Sequence, residues 1–143
     1  MTHVLVPIDE SPLSTQALEH ALESHPDADV TVIHVIDFVE AGYQAPVGGT
    51  IPGHWEDWYE SQEDEAEALF DEARETAAEH DADVETELFL GRPDRSIVSY
   101  AEDEDVDHIV MGSHGRTGVK RILVGSVAEK VVRRAPCPVT VVR

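Results

Sequence analysis

A chain of 143 residues suits one domain and can bury about 68–70% of its unfolded surface, so it needs no disulfide or metal to hold it. With 30 Asp and Glu against 10 Lys and Arg, its formal net charge of −20 disfavours long polyanions, which sets aside a nucleic-acid coat or an anionic membrane surface as partner. No apolar run approaches the roughly 20 residues of a spanning helix, no secretory leader opens the chain, and the lone Cys137 cannot close an internal disulfide, which together read as a cytoplasmic protein.

The run His3–Val4–Leu5–Val6–Pro7–Ile8–Asp9 lacks alternation and predicts a first strand covered on both faces. Ser11-Pro12 then reads as an N-cap followed by proline at the first helical position. Leu13, Ala17, Leu18, Ala21 and Leu22 recur at helical spacing to about Ser24. Val30 to Ile36, rich in β-branched residues, predicts the second strand. Residues 37–54, with Gly42, Pro46, Gly48, Gly49, Pro52 and Gly53, predict a long flexible loop inserted in the single domain. A helix is expected from about Trp55 to His80, with a stripe of Trp55, Trp58/Tyr59, Ala66, Leu69/Phe70, Ala73 and Ala77. The aromatic cluster at its start reads as core or loop packing rather than a ligand box.

Val84, Thr86, Leu88 and Leu90 alternate with acids and predict a third strand, which stops at Gly91-Arg92-Pro93. A helix over 94–104 turns Ile97, Val98 and Ala101 inward. Val106 to Met111 predicts the fourth strand, followed by a Gly-rich stretch from Gly112 to Gly118. A last helix ends before Pro136, and Pro138 to Val142 forms the fifth strand. Strands alternating with helices imply an α/β domain with an open parallel five-stranded sheet and helices on both faces. Ligands of such sheets bind beyond the carboxyl ends of the strands, at the point where the strand order reverses. Pro7-Ile8-Asp9 and Met111-Gly112 both stand at such ends.

The charge is unevenly placed. Residues 1–91 hold 23 acids and one base, Arg74, for a net of −22, whereas the last 36 residues carry seven bases against Glu129 alone. The bulk acidity points to a medium of very high salt, which would screen the self-repulsion. The spared C-terminal third reads either as buried against a partner or as attracting an anion.

The stretch Met111–Gly112–Ser113–His114–Gly115–Arg116–Thr117–Gly118, with Gly125-Ser126 further on, favours the second reading. Successive N–H groups in a glycine turn form an anion nest, and a helix start at Gly125-Ser126 offers free N–H groups to phosphate. Each charge-assisted hydrogen bond contributes roughly 1.5–3 kcal/mol, against about 8 kcal/mol for micromolar binding. The run is neither a P-loop nor a dinucleotide fingerprint, since Gly-x-x-x-x-Gly-Lys is absent and the first strand has no glycine. A glycine turn that holds nothing has the same spacing.

Gly112-x2-Gly115-x9-Gly125-Ser126 resembles the nucleotide-binding signature of the universal stress protein family. The opening His3 to Ser11 and the ending Ala135 to Val142 are similar to that family's first and last strands, so the resemblance covers essentially the whole chain. It implies a five-stranded sheet in the order 3-2-1-4-5, akin to the adenine nucleotide alpha hydrolase-like, Rossmann-like folds. It also implies the ATP-binding branch and a homodimer joined through Val139–Val142. Carried over by position, Pro7, Ile8 and Asp9 would line the nucleoside pocket, and Val35 would meet the adenine through its backbone. Met111 and Gly112 would lie at the ribose and first phosphate. Gly115, Gly125, Ser126 and Val127 would hold the phosphates, with His114 and Arg116 in the loop beside them. Mg²⁺ would ride on the phosphates of ATP.

The eight histidines show no paired ligand spacing, so no protein metal site is expected. His34 and His108 read as satisfied strand residues. Three functions fit the residues: an ATP-binding stress-response module, a slow ATPase or self-phosphorylating enzyme using Asp9 as base, and a dimeric scaffold with an empty or different site.

Overall fold

The computed structural model describes residues 2–37, 52–113 and 125–143. Among these, strands and helices alternate: β1 (His3–Pro7), α1 (Pro12–Ser24), β2 (Asp29–Ile36), α2 (Pro52–Glu79), β3 (Val84–Leu90), α3 (Pro93–Asp103), β4 (His108–Gly112), α4 (Ser126–Arg134) and β5 (Val139–Val142). The strands form a five-stranded sheet in the order β3-β2-β1-β4-β5, every pair parallel. The expected fold class and strand order are therefore those observed. Most of the expected loop 37–54 and the stretch 114–124 lie outside the described residues.

A central strand covered on both faces needs apolar residues on both, and β1 has them. Val4 and Val6 pack with Ala17, Leu18 and Ala21 of α1 and Phe70 of α2. Leu5, between them, faces Ile97 and Ala101 of α3 and Ala128 and Val131 of α4. Each fully buried Val or Leu of this kind contributes about 1.5–3 kcal/mol. Helix α1 starts as the Ser-Pro pair dictates: Pro12 takes the first helical position, and the Leu13 amide donates to Ser11 Oγ at 3.1 Å.

The structure refines four expectations. Of the two readings of the aromatic cluster, core packing is not the one observed: Trp55, Trp58 and Tyr59 belong to neither core cluster but are half-buried and pack on one another, with ring centroids 5.2 and 6.2 Å apart, while most of the loop expected to pack on them lies outside the described residues. The reason is length. At about 1.5 Å per residue a 28-residue helix spans about 42 Å, roughly twice a seven-residue strand, so only its second half, from Ala66 to Ala77, meets the sheet. Helix α2 also begins at Pro52 rather than Trp55. Leu90 is 42% exposed, because it ends the edge strand beyond the core that Val84 and Leu88 pack against. Val106 enters the core but not β4: its amide caps α3 by donating to the Ala101 carbonyl, after Asp105 turns the chain at φ +50.

Candidate functional site

The strand order reverses between β1 and β4, and there the two strands part. They are in register only at Val4↔His108 and Leu5↔Ile109. Beyond that point β1 stays paired with β2 as far as Pro7↔Ile33, and β4 stays paired with β5 as far as Gly112↔Val142. The cause is legible in the backbone. The His3 carbonyl accepts from the Asp107 amide, and the Ile8 amide donates to Ile33, so odd-numbered residues of β1 face β4 and even-numbered ones face β2. Pro7 therefore faces β4 at the position where the next donor is needed, and proline has none. A crevice opens at the carboxyl edge of the sheet.

One wall of the crevice is pinned by two backbone hydrogen bonds. The Ser113 amide donates to the Val142 carbonyl at 2.7 Å, and the Gly125 amide donates to the Ser113 carbonyl at 2.5 Å. Ser113 and Gly125 thus meet at the end of β4. Gly125 is the N-cap of α4, in extended conformation, and among the described residues no side chain caps the first-turn N–H groups. With the positive end of the helix dipole, that turn suits an anion.

The opposite wall is the β1–α1 turn. Asp9 is half-buried and held rigidly: its Oδ1 accepts from the Ser11 amide at 2.8 Å and from Ser14 Oγ at 2.9 Å, and its own amide donates to Ser14 Oγ at 2.8 Å. Behind it, buried His34 of β2 donates from Nδ1 to the Ile8 carbonyl at 2.8 Å. That bond fixes the ring's tautomer, since a carbonyl can only accept. His108 is also satisfied, with Nε2 2.6 Å from Thr140 Oγ1. Both histidines are hydrogen-bonded strand residues, as their sequence context suggested.

The positions singled out by sequence fall along one edge of the sheet. Pro7, Ile8 and Asp9 end β1 or follow it, Val35 lies near the end of β2, Met111 and Gly112 end β4, and Gly125, Ser126 and Val127 open α4. Met111 is buried in the second core, Val35 and Val127 pack against that core, and Ser126 is exposed. His114, Gly115 and Arg116 lie outside the described residues. Sequence reasoning missed Ser14, which clamps Asp9, and Asp94, a buried acid in the first turn of α3. The spacing Asp9-x4-Ser14 carried a signal for the first; nothing in Pro93-Asp94-Arg95-Ser96 marks the second. Among the described residues no group of three or more His, Cys, Asp or Glu could hold a metal ion, and no helix is long and apolar enough to cross a membrane.

An open parallel α/β sheet with a crevice at its order reversal, and a helix start facing it, defines the class of α/β domains that take ligands at the carboxyl edge. The chain belongs to the universal stress protein family, whose model matches residues 1–143. It is 37% identical to universal stress protein MJ0531 of Methanocaldococcus jannaschii over 98% of this chain and 81% of that one. The solved structure of MJ0577 from the same organism superposes with a TM-score of 0.84 at 31% identity, covering 99% of this chain and 94% of that chain. Two more distant structures share the fold: a universal stress protein in complex with cAMP (23% identical, TM-score 0.71, 99% and 97% covered) and an Arabidopsis thaliana family member with AMP bound (20%, 0.69, 99% and 91%).

Proposed function

We propose that this chain binds an adenine nucleotide, ATP carried as its Mg²⁺ complex, and acts as a nucleotide-controlled stress-response module. The observation that carries this reading is the uncapped first turn of α4, brought by the Gly125–Ser113 bond to the edge that also holds Asp9. The cAMP and AMP held by fold neighbours support a nucleotide as the ligand class. In this reading Pro7, Ile8 and Asp9 line the nucleoside pocket, the Val35 backbone meets the base, and Met111 and Gly112 lie along the ribose and first phosphate. Gly115, Gly125, Ser126 and Val127 hold the remaining phosphates, helped by His114 and Arg116. Mg²⁺ supplies charge neutralisation on the phosphates and keeps most of its waters.

The ATPase alternative finds less support. Oδ1 of Asp9 already accepts two hydrogen bonds, which suits a positioning group better than a proton acceptor in a reaction. We assign the active form to a homodimer joined through β5, and its place to a cytoplasm of high salt. Calorimetry with Mg-ATP in molar KCl, with mass spectrometry of nucleotide released from protein purified without added ligand, tests the reading. Micromolar binding is expected, and Gly115→Val should abolish it while leaving the circular dichroism unchanged. No heat and no retained nucleotide would overturn it.

A further inference from the structure

We propose that Asp94 selects the base, accepting a hydrogen bond from the 6-amino group of a purine and rejecting a 6-oxo purine; this rests on the nucleotide reading above. Asp94 is a buried acid, 9% exposed. Among the described residues no hydrogen bond or ion pair reaches its carboxylate, although buried polar groups are almost always paired. A carboxylate left so costs stability unless a donor arrives.

Its place in the fold says which donor. Asp94, Ile97 and Ala101 are the buried residues of α3, one stripe at helical spacing, so Asp94 continues the face that packs on the sheet. Ile97 shares the second core with Leu5, Ile33 and Met111, and Val35 packs against the same cluster. The start of α3 is tied to the carboxyl end of β2, because the Gly91 amide donates to the Ile36 carbonyl at 3.0 Å. Asp94 therefore stands one turn beyond Ile97, over the carboxyl edge, on the β2 side of the crevice. Helix α4 packs on the same face but touches β5, on the other side. A nucleotide whose phosphates sit at the start of α4 and which crosses the crevice puts its base at the β2 and α3 end. Asp94 is the buried acid there.

A carboxylate can accept but not donate. It matches the two N–H groups of a 6-amino purine and opposes the carbonyl oxygen of hypoxanthine. A hydrogen bond to a charged group of this strength corresponds to about 10- to 100-fold in affinity. Asparagine at the same position can turn either its carbonyl or its amide to the ligand, so it should lose the preference.

Calorimetric titration of the full chain with Mg-ATP and Mg-ITP in molar KCl, for the wild type and Asp94→Asn, tests this. The expected result is wild type binding ATP at least about tenfold more tightly than ITP, with the ratio falling to within about threefold in Asp94→Asn. Chemical denaturation should show Asp94→Asn at least as stable as the wild type without ligand, which separates base recognition from a folding defect. If the wild type prefers ATP and Asp94→Asn keeps that preference, or if the wild type binds both equally, base selection by Asp94 is wrong while the nucleotide reading stands. If the wild type binds neither, both fail.

Discussion

His34 and Ile8 are joined across the β1–β2 pair by one buried bond, Nδ1 to carbonyl at 2.8 Å, and this bond sets where the chain turns toward Asp9. His34→Leu keeps much of the volume and removes the donor, leaving the Ile8 carbonyl unpaired. The expected cost is about 1–3 kcal/mol, read as a lower denaturation midpoint in urea at unchanged slope. A midpoint equal to the wild type's would show that the bond contributes nothing.

Ser14 bonds Asp9 twice, through the side-chain oxygen and through the backbone amide. Ser14→Ala frees the carboxylate to rotate. The helix should lose about 1 kcal/mol, and nucleotide affinity should fall several-fold more than stability explains. Calorimetry beside a denaturation curve separates the two effects; unchanged affinity would remove Asp9 from the site.

Burial holds the His108 imidazole below its ordinary pKa of 6.5, and the neighbouring rings of His25 and His20 push in the same direction. A group depressed in the folded state stabilises the fold above its unfolded pKa, and that stability is lost as the pH falls below about 6.5 toward the folded value. His80 works oppositely: the Thr76 carbonyl, aided by Glu23, raises it, so its contribution is full below 6.5 and lost as the pH rises above it. Stability measured from pH 8 to pH 5 should therefore fall less steeply in His108→Gln than in the wild type. Identical acid limbs would exclude His108 as the cause.

The free edge of β5 is short, half-buried and apolar at Val139, Val141 and Val142, which is the kind of edge that pairs. Val141→Arg should halve the mass seen by light scattering in molar KCl. A wild type already monomeric there would refute the dimer.

Arg74 is the one Lys or Arg among the first 91 residues, and on α2 it gathers Glu67 at 3.2 Å and Asp71 at 2.9 Å; among the described residues no other acid of that helix is paired with Lys or Arg. Screening should relieve this repulsion, since the Debye length drops from about 10 Å at 0.1 M salt to about 3 Å at 1 M. The melting temperature should rise steadily between those concentrations, and a flat response would count against adaptation to salt.

Features set by neighbours in sequence were legible. Ser11-Pro12 starts α1 whatever surrounds it, and the unbroken apolar run of β1 requires cover on both faces. Features set by direction in space were not. That Asp94 is buried depends on how α3 is rotated against β2, and the motif around it reads like any surface helix start. The exposure of Leu90 follows from β3 ending up at an edge, and the fate of Trp55 and Trp58 from a helix longer than the sheet it covers. The candidate site was legible as far as glycines and strand ends go, because such residues act through the backbone. Ser14 and His34 act through side chains that meet the turn only once α1 and β2 have closed on it.

The parting of β1 and β4 has a mechanical consequence. Two half-sheets, β3-β2-β1 and β4-β5, share a seam stitched at its amino end and open at the other, with Pro7 as the missing stitch. A molecule lying across the open end and gripping both Asp9 and the start of α4 would clamp the halves together. Amide hydrogens of Val6, Ile8 and Val110 would then exchange more slowly, and the occupied domain would present a stiffer surface to whatever reads it.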